Sequence, residues 1–116
     1  MRERYSTVVT PKHVAIQALI CYWIQKQKKK SQKVRFISEY PYDHKGKTYI
    51  ADVYVEWITG RKRTEHIYEV QKDFDAKTFN DKMKDLDKLG IIIPEDNVPD
   101  DINDLSNFIK DSVMLL

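Results

Sequence analysis

The fold is decided by two stretches of the chain, YIADVYV at residues 49–55 and HIYEVQK at residues 66–72. Both are rich in β-branched and aromatic residues, which is typical of β-strands. Each stretch carries one acid, Asp52 or Glu69, in an apolar interior, where a carboxylate needs a cation, a set of hydrogen bonds or a metal. Residues 58–63 include a glycine and can turn the chain, so we expect a hairpin that brings the two acids together.

Side chains alternate between the two faces of a strand, so Glu69 and Gln71 are predicted to point to the same side. Together with Asp52 they would form an oxygen-rich site on one face of the sheet. Mg²⁺ favours such a site, because it binds one or two carboxylates and leaves its other positions to water and phosphate. The alternative is structural, with Asp52 and Glu69 in buried pairs with Arg35 or a lysine.

The bulk properties predict one globular domain that spans residues 1–116, since 41% of the residues are hydrophobic and 33% are charged. The single cysteine, Cys21, forms no disulfide within the chain and fits a reducing compartment. We expect it to pack in a buried helix. No apolar run is long enough to span a bilayer and no leader with a cleavage site is recognisable, which together predict a cytoplasmic location.

The remaining pattern predicts the element order α-β-β-β-α-β-α, with helices on both faces of a mixed sheet. Thr10 should cap a first helix that starts at Pro11. A first strand is expected at residues 33–40 and a turn at residues 41–47. The second helix should span residues 77–89 and end at Gly90, before a short strand at residues 91–93. Asp100 or Asp101 should cap the last helix.

Two finer expectations concern which side chains are buried. The predicted apolar positions of the first helix are Val14, Ala15, Ala18, Leu19, Cys21, Tyr22 and Ile24. The predicted inner face of the first strand is Val34, Phe36, Ser38 and Tyr40.

This order, with an acid in the second strand and an acid-x-polar motif in the third, resembles the PD-(D/E)xK nuclease superfamily. Asp52 matches the first acid, although Ala51 stands where many members have proline. Glu69-Val70-Gln71 matches the second acid and the lysine position, which is glutamine in some restriction endonucleases. Together with Glu39 these residues also resemble the CoiA-like proteins. In the similar Holliday-junction resolvases the first helix supplies an acid, and here His13 and Gln17 are the inward candidates.

The resemblance implies a restriction-endonuclease-like α-β-β-β-α-β core with an extra C-terminal helix, and hydrolysis of DNA with Mg²⁺ or Mn²⁺. Asp52, Glu69 and the carbonyl of Val70 would bind the metal, and Gln71 would position a water. The missing positive charge would come from Lys72 or from the next helix. The candidates on that helix are Lys77, Lys82 and Lys84. Glu39 is either a third acid at the site or an exposed acid paired with a lysine.

Two clusters of basic residues are candidates for contacts with phosphates, which need no sequence readout. They consist of Lys28, Lys29 and Lys30, and of Arg61, Lys62 and Arg63. Alternatively they are a solvated helix end and a solvated hairpin tip. A domain this small offers little surface to a duplex, so we expect a homodimer. Two other functions stay open: a nucleic-acid-binding or structural protein with a lapsed site, and a protein-interaction domain anchored by Trp23, Tyr54 and Trp57.

Overall fold

The computed structural model describes residues 10–71 and 76–114 and has an α+β fold built on one mixed sheet. The elements in chain order are α1 (Pro11–Gln27), β1 (Gln32–His44), β2 (Lys47–Thr59), β3 (Lys62–Gln71), α2 (Ala76–Asp85), β4 (Leu89–Pro94), a short 3₁₀ turn (Glu95–Asn97) and α3 (Ile102–Val113). The strands lie in the order β1-β2-β3-β4. The first three are antiparallel, and β4 runs parallel to β3. The predicted class, helices packed on a mixed sheet, and the predicted element order are confirmed.

Helices cover both faces of the sheet, as predicted, and each face has its own core. The large core lies between the sheet and helices α1 and α3, and its central residues include Ile20, Val55 and Ile109. The small core lies between the sheet and α2, and it includes Tyr54 and Phe79. None of the helices in the described part of the chain is long and apolar enough to cross a membrane.

The first helix begins as predicted, because the Thr10 hydroxyl accepts a hydrogen bond from the His13 N–H and Pro11 occupies the first turn. Its buried stripe agrees with the predicted one only in part: Ile24 is buried, and Ala15, Leu19 and Cys21 are partly buried against the large core. Ile16, Ile20 and Ile24 face the core, whereas Val14 and Tyr22 are half exposed and Cys21 is only partly buried. Apolar residues surround this helix on all sides, so periodicity could not determine the face that packs. At the last helix it is Asp101 that accepts the capping hydrogen bonds.

The hairpin of β1 and β2 is longer than predicted, because the expected turn at residues 41–47 is mostly strand and only Lys45 and Gly46 form the tip. The predicted inner face of β1 is also wrong beyond Ser38. Glu39 has a φ of 55°, and this left-handed residue shifts the alternation of side chains. Val34 and Phe36 pack on the large core, whereas Tyr40 packs on the small core at the opposite face.

The second helix ends at Asp85, earlier than predicted, and Gly90 lies inside β4 instead of ending the helix. A side chain at Gly90 would clash, because a Cβ there would lie 2.6 Å from Cζ of Phe79 and 3.0 Å from the carbonyl oxygen of Ile67. Glycine at this position therefore allows α2 to pack closely against the edge of the sheet.

Candidate active site

The sheet separates locally at Asp52, and this opening creates the candidate site. The pairing of β2 with β3 ends at Val53 and Tyr68, so Asp52 lies one residue beyond it. The pairing of β1 with β2 joins Ser38 to Val53 and Tyr40 to Ala51 but skips the intervening pair. Meanwhile β3 continues beside β4 as far as Gln71. Asp52 thus lies where β2 separates from β3 and where the pairing of β1 with β2 has a gap. This separation leaves backbone groups of β3 without a strand partner on the β2 side.

The Asp52 carboxylate replaces the missing strand partner. Its Oδ2 accepts a hydrogen bond of 2.6 Å from the Val70 N–H. Its Oδ1 lies 3.2 Å from Nε2 of His13, without the geometry of a hydrogen bond. The Gln17 side-chain amide donates to the Asp52 carbonyl at 3.1 Å. Both α1 residues that the sequence predicted to face the site, His13 and Gln17, therefore reach Asp52.

Burial raises the pKa of Asp52, and the negative charges of Glu39 and Glu69 raise it further, against the opposing effects of the Val70 N–H and His13. Glu39 lies close enough for its carboxylate to accept a weak hydrogen bond of 3.5 Å from Gln17. The carboxylates of Glu39 and Glu69 are therefore close enough to repel that of Asp52 electrostatically. A cluster of acids in which the pKa of one member is raised marks a candidate functional site.

Glu69 lies on the α2 side of the sheet and only 3% of its surface is exposed. Its Oε2 accepts a hydrogen bond of 2.6 Å from the Gln71 amide, which places both side chains on the same face. Its Oε1 accepts a short hydrogen bond from the Tyr42 hydroxyl. The ammonium group of Lys82 lies 3.8 Å from Oε1. Every contact of this carboxylate thus holds it in one orientation.

The buried lysine of α2 is Lys82, with 5% of its surface exposed, whereas Lys77 and Lys84 point to solvent. Its ammonium group lies 3.7 Å from the centroid of the Tyr49 ring, and the rings of Tyr42 and Phe79 are also close. Aromatic faces attract a cation. The positive charge that a lysine at position 71 would supply is thus brought to Glu69 from the neighbouring helix. Lys72 lies outside the described residues.

Tyr42 and Tyr49 are site residues that sequence analysis missed. Regular alternation places them away from Glu69, and only the shift at Glu39 and Asp52 turns this half of the hairpin towards α2. Burial and the hydrogen bond to Glu69 raise the pKa of Tyr42, so its hydroxyl remains a donor at neutral pH. The sequence feature that could have indicated them is the concentration of tyrosines in this hairpin, at positions 40, 42 and 49.

The donor set fits a cation that needs few protein ligands. In residues 10–71 and 76–114, no three His, Cys, Asp or Glu side chains are arranged as a metal cage. A carboxylate has about four lone-pair positions, and Asp52 uses only part of this capacity. Mg²⁺ typically takes one or two carboxylates and keeps several waters. A site built on Asp52 or Glu69 would therefore suit an ion of this kind better than one that requires a closed protein cage.

The two basic clusters lie at the other end of the molecule. Lys28, Lys29 and Lys30 follow the C-terminus of α1, roughly 20 Å from His13 at 1.5 Å per residue. Arg61 and the residues beside it form the tip of the β2–β3 hairpin, which is paired with the start of β1. The site and the basic clusters are therefore separate surfaces.

Within the second cluster, Arg63 is already engaged. Its guanidinium lies 3.3 Å from the Glu56 carboxylate and 3.2 Å from that of Glu65. Arg35 also pairs with Glu56, at 3.4 Å. Arg63 therefore stabilises the hairpin, and its charge is less available to a phosphate than those of Arg61 and Lys62.

Comparison of the chain with protein-family models, with curated proteins and with solved structures found no match.

Proposed function

We propose that the protein is a metal-dependent nuclease that hydrolyses phosphodiester bonds of DNA at Asp52 and Glu69. The observation that supports this most is the pair of constrained acids at the opening between β2 and β3, with Gln71 and Lys82 beside Glu69. The element order and the Glu69-Val70-Gln71 motif, which resemble the PD-(D/E)xK nucleases, support it as well. We place the activity in a reducing, intracellular compartment because the only cysteine is free.

Asp52, Glu69 and the Val70 carbonyl would hold Mg²⁺ or Mn²⁺, which when bound supplies an activated water and neutralises charge on the phosphate. The protein residues perform the positioning. The Val70 N–H fixes one oxygen of Asp52. The Tyr42 hydroxyl and the Gln71 amide fix both oxygens of Glu69.

Gln71 and Lys82 would share the role that a single lysine has in related nucleases. The Gln71 amide donates to Glu69, which leaves its carbonyl oxygen to accept a hydrogen bond from a water. Lys82 contributes the positive charge, and its burial among aromatic rings keeps that charge from being screened by solvent. Glu39 would be a third acid at the edge of the site.

A homodimer would serve this function, because two copies double the surface that grips a duplex and present one site to each strand.

A second candidate function is a nucleic-acid-binding protein whose site no longer catalyses. The observation that favours it is that both acids already have partners. Asp52 accepts a hydrogen bond from the Val70 N–H. Glu69 accepts hydrogen bonds from Tyr42 and Gln71 and forms an ion pair with Lys82. Such contacts satisfy buried carboxylates without a metal.

Cleavage assays with Asp52→Asn and Glu69→Gln separate the two functions. Each change keeps the shape of the side chain and removes one charge, so we expect each to lower Mn²⁺-dependent cleavage at least 100-fold, on the order of the loss of one key electrostatic group. Gln71→Ala should lower cleavage less, and Gln71→Lys should keep or raise it.

The matched control is Asp43→Asn, since Asp43 is an exposed acid on the same hairpin. Duplex, single-stranded and branched DNA are each offered as substrate. If the wild-type protein cuts none of them, the binding function replaces the enzyme. If both acid variants cut as well as the wild-type protein, the site lies elsewhere.

A further inference from the structure

A cavity of about 450 Å³ lies at the end of the molecule that carries the basic clusters, on the face covered by α1 and α3. Its lining includes Gln27, Lys29, Trp57, Lys62, His66 and Tyr68. Its volume falls in the range of roughly 300–1,000 Å³ that is usual for small-molecule sites. The acids of the candidate active site do not line it, so it is a second location and does not depend on the proposed function.

Unpartnered polar atoms concentrate at this cavity. Among the described residues, three buried side-chain nitrogen or oxygen atoms have no hydrogen-bond partner, and two of them, Nε2 of Gln27 and Nδ1 of His66, belong to residues that line it. His66 is 6% exposed. A buried polar atom without a partner is unfavourable unless a water, an ion or a ligand satisfies it, so each of these two atoms is a candidate contact for a ligand in the cavity. The terminal torsions of both side chains are soft, which lets each nitrogen turn towards a ligand.

The charge at the cavity is positive. Lys29 and Lys62 both line it, and within residues 10–71 and 76–114 no acid lies within ion-pair distance of either ammonium group. This differs from Arg63, two strand positions from the tip, which is held by Glu56 and Glu65. Burial lowers the pKa of His66, so the imidazole is neutral and offers one donor and one acceptor inside the cavity.

We propose that this cavity binds a nucleotide, with the base beside Trp57 and the phosphate between Lys29 and Lys62. Aromatic side chains stack on bases of any sequence. Gln27 and His66 provide hydrogen-bonding groups for the edge of a base, and two unpaired lysines attract the phosphate. A free mononucleotide and the phosphorylated end of a DNA strand share this chemistry.

Titration calorimetry and two-dimensional NMR with adenosine monophosphate test the proposal, without divalent metal so that no cleavage occurs. We expect binding that shifts the signals of the Trp57 indole and of Nδ1 of His66. The double change Lys29→Gln with Lys62→Gln should weaken binding about tenfold or more, because charge-assisted contacts to the phosphate are lost. Adenosine has no phosphate. Its affinity for the wild-type protein should therefore not exceed the affinity of the double variant for adenosine monophosphate.

Lys33→Gln is the matched control. Lys33 lies on β1 at the same end of the molecule, but its neighbour Val34 packs on the large core, so Lys33 points to the opposite face. We expect this change to leave the affinity unaltered. A Trp57→Phe variant gives an independent reading, since it keeps an aromatic ring but removes the indole signal.

A short oligodeoxyadenylate with a terminal phosphate distinguishes the two sources of the ligand. Tighter binding of this oligonucleotide than of adenosine monophosphate identifies a strand end, and equal or weaker binding identifies the free mononucleotide. The proposal is overturned if neither probe binds at millimolar concentration, or if Lys33→Gln weakens binding as much as the double variant does. Cleavage by the wild-type protein in Mn²⁺ would then leave the proposed function intact.

Discussion

At the scale of single residues, Glu69 and Lys82 form a buried pair of opposite charges. The acid has more polar partners than the base. Glu69 has hydrogen bonds from Tyr42 and Gln71 in addition to the lysine. Lys82 has the carboxylate and the faces of aromatic rings. Each partner therefore limits the energetic cost of burying the other.

Lys82→Met should lower the free energy of unfolding by roughly 3–5 kcal/mol, because it leaves a buried carboxylate without its cation. In the double variant with Glu69→Gln the loss should be smaller than the sum of the two single losses, since no unpaired charge remains. Chemical denaturation of the four proteins measures this coupling. Additive losses would show that Lys82 and Glu69 do not interact in solution, and Lys84→Met on the exposed side of α2 is the control.

A second residue-scale prediction concerns Glu65, which is held by Lys88 at 2.6 Å, by Tyr54 at 2.8 Å and by Arg63 at 3.2 Å. Although burial alone would raise it, the pKa of Glu65 is lowered to about 2 by hydrogen bonds from Lys88 and Tyr54. A lowered pKa means that the carboxylate stabilises the fold above its unfolded-state value of about 4.5, and that this contribution is lost as the pH falls towards 2.

Glu65→Gln should therefore lower stability at pH 7 by about 1–2 kcal/mol, a value reduced for screening by solvent. The difference from the wild-type protein should shrink as the pH falls below about 4.5. Urea unfolding curves at several pH values measure it. A difference that stays constant down to the acid limit would contradict the assignment.

At the scale of elements, the packing of α2 against β4 depends on the absence of a side chain at Gly90. A Cβ at this position would lie 2.6 Å from Phe79 and 2.9 Å from the sulfur of Met83. Because Phe79 and Lys82 belong to the same helix, a shift of α2 away from Gly90 would also move the lysine relative to Glu69.

Gly90→Ala should destabilise the protein by roughly 1–3 kcal/mol through overpacking. In a Phe79→Leu background the same change should cost less, because the smaller side chain leaves room for the new methyl group. Thermal unfolding of the single and double variants measures the cost of Gly90→Ala in each background. An equal loss in both backgrounds would show that the contact with Phe79 is not the cause.

At the scale of the whole molecule, the candidate active site and the basic clusters lie at opposite ends. From Asp52 to Thr59, where β2 ends, the strand advances seven residues, roughly 23 Å at about 3.3 Å per residue, and Arg61 lies in the turn beyond it. A nucleic acid that touches both ends must therefore extend along the domain, and one that touches only the basic end does not reach the acids.

We expect affinity for duplex DNA to fall steeply with salt, with a slope of about −0.9 in log affinity against log salt for each phosphate contact. Arg61→Gln and Lys62→Gln should each make the slope less steep by about 0.9, the value for one phosphate contact. Arg63→Gln should change it less, because Glu56 and Glu65 already hold that side chain. Binding measured by fluorescence anisotropy at several salt concentrations tests this, with Lys77→Gln as control. A slope that is the same in all variants would place the DNA on another surface.

Features that depend only on neighbouring residues could be predicted from the amino-acid sequence. Alternation predicted the strands and placed Glu69 and Gln71 on one side. Local capping chemistry predicted the start of α1 at Thr10 and narrowed the start of α3 to Asp100 or Asp101, of which Asp101 is the cap. These features are set within a few residues of the chain, so a single sequence contains enough information to predict them.

Contacts between groups that are distant in the chain were not predictable, because they depend on how the elements pack. The left-handed Glu39 turns Tyr42 towards Glu69, the packing of α2 brings Lys82 rather than Lys77 or Lys84 to the acid, and the length of β2 carries the basic hairpin tip away from Asp52. Each of these outcomes depends on contacts between elements far apart in the chain. Periodicity cannot reveal a one-residue shift in strand alternation, and that shift moves every following side chain to the opposite face.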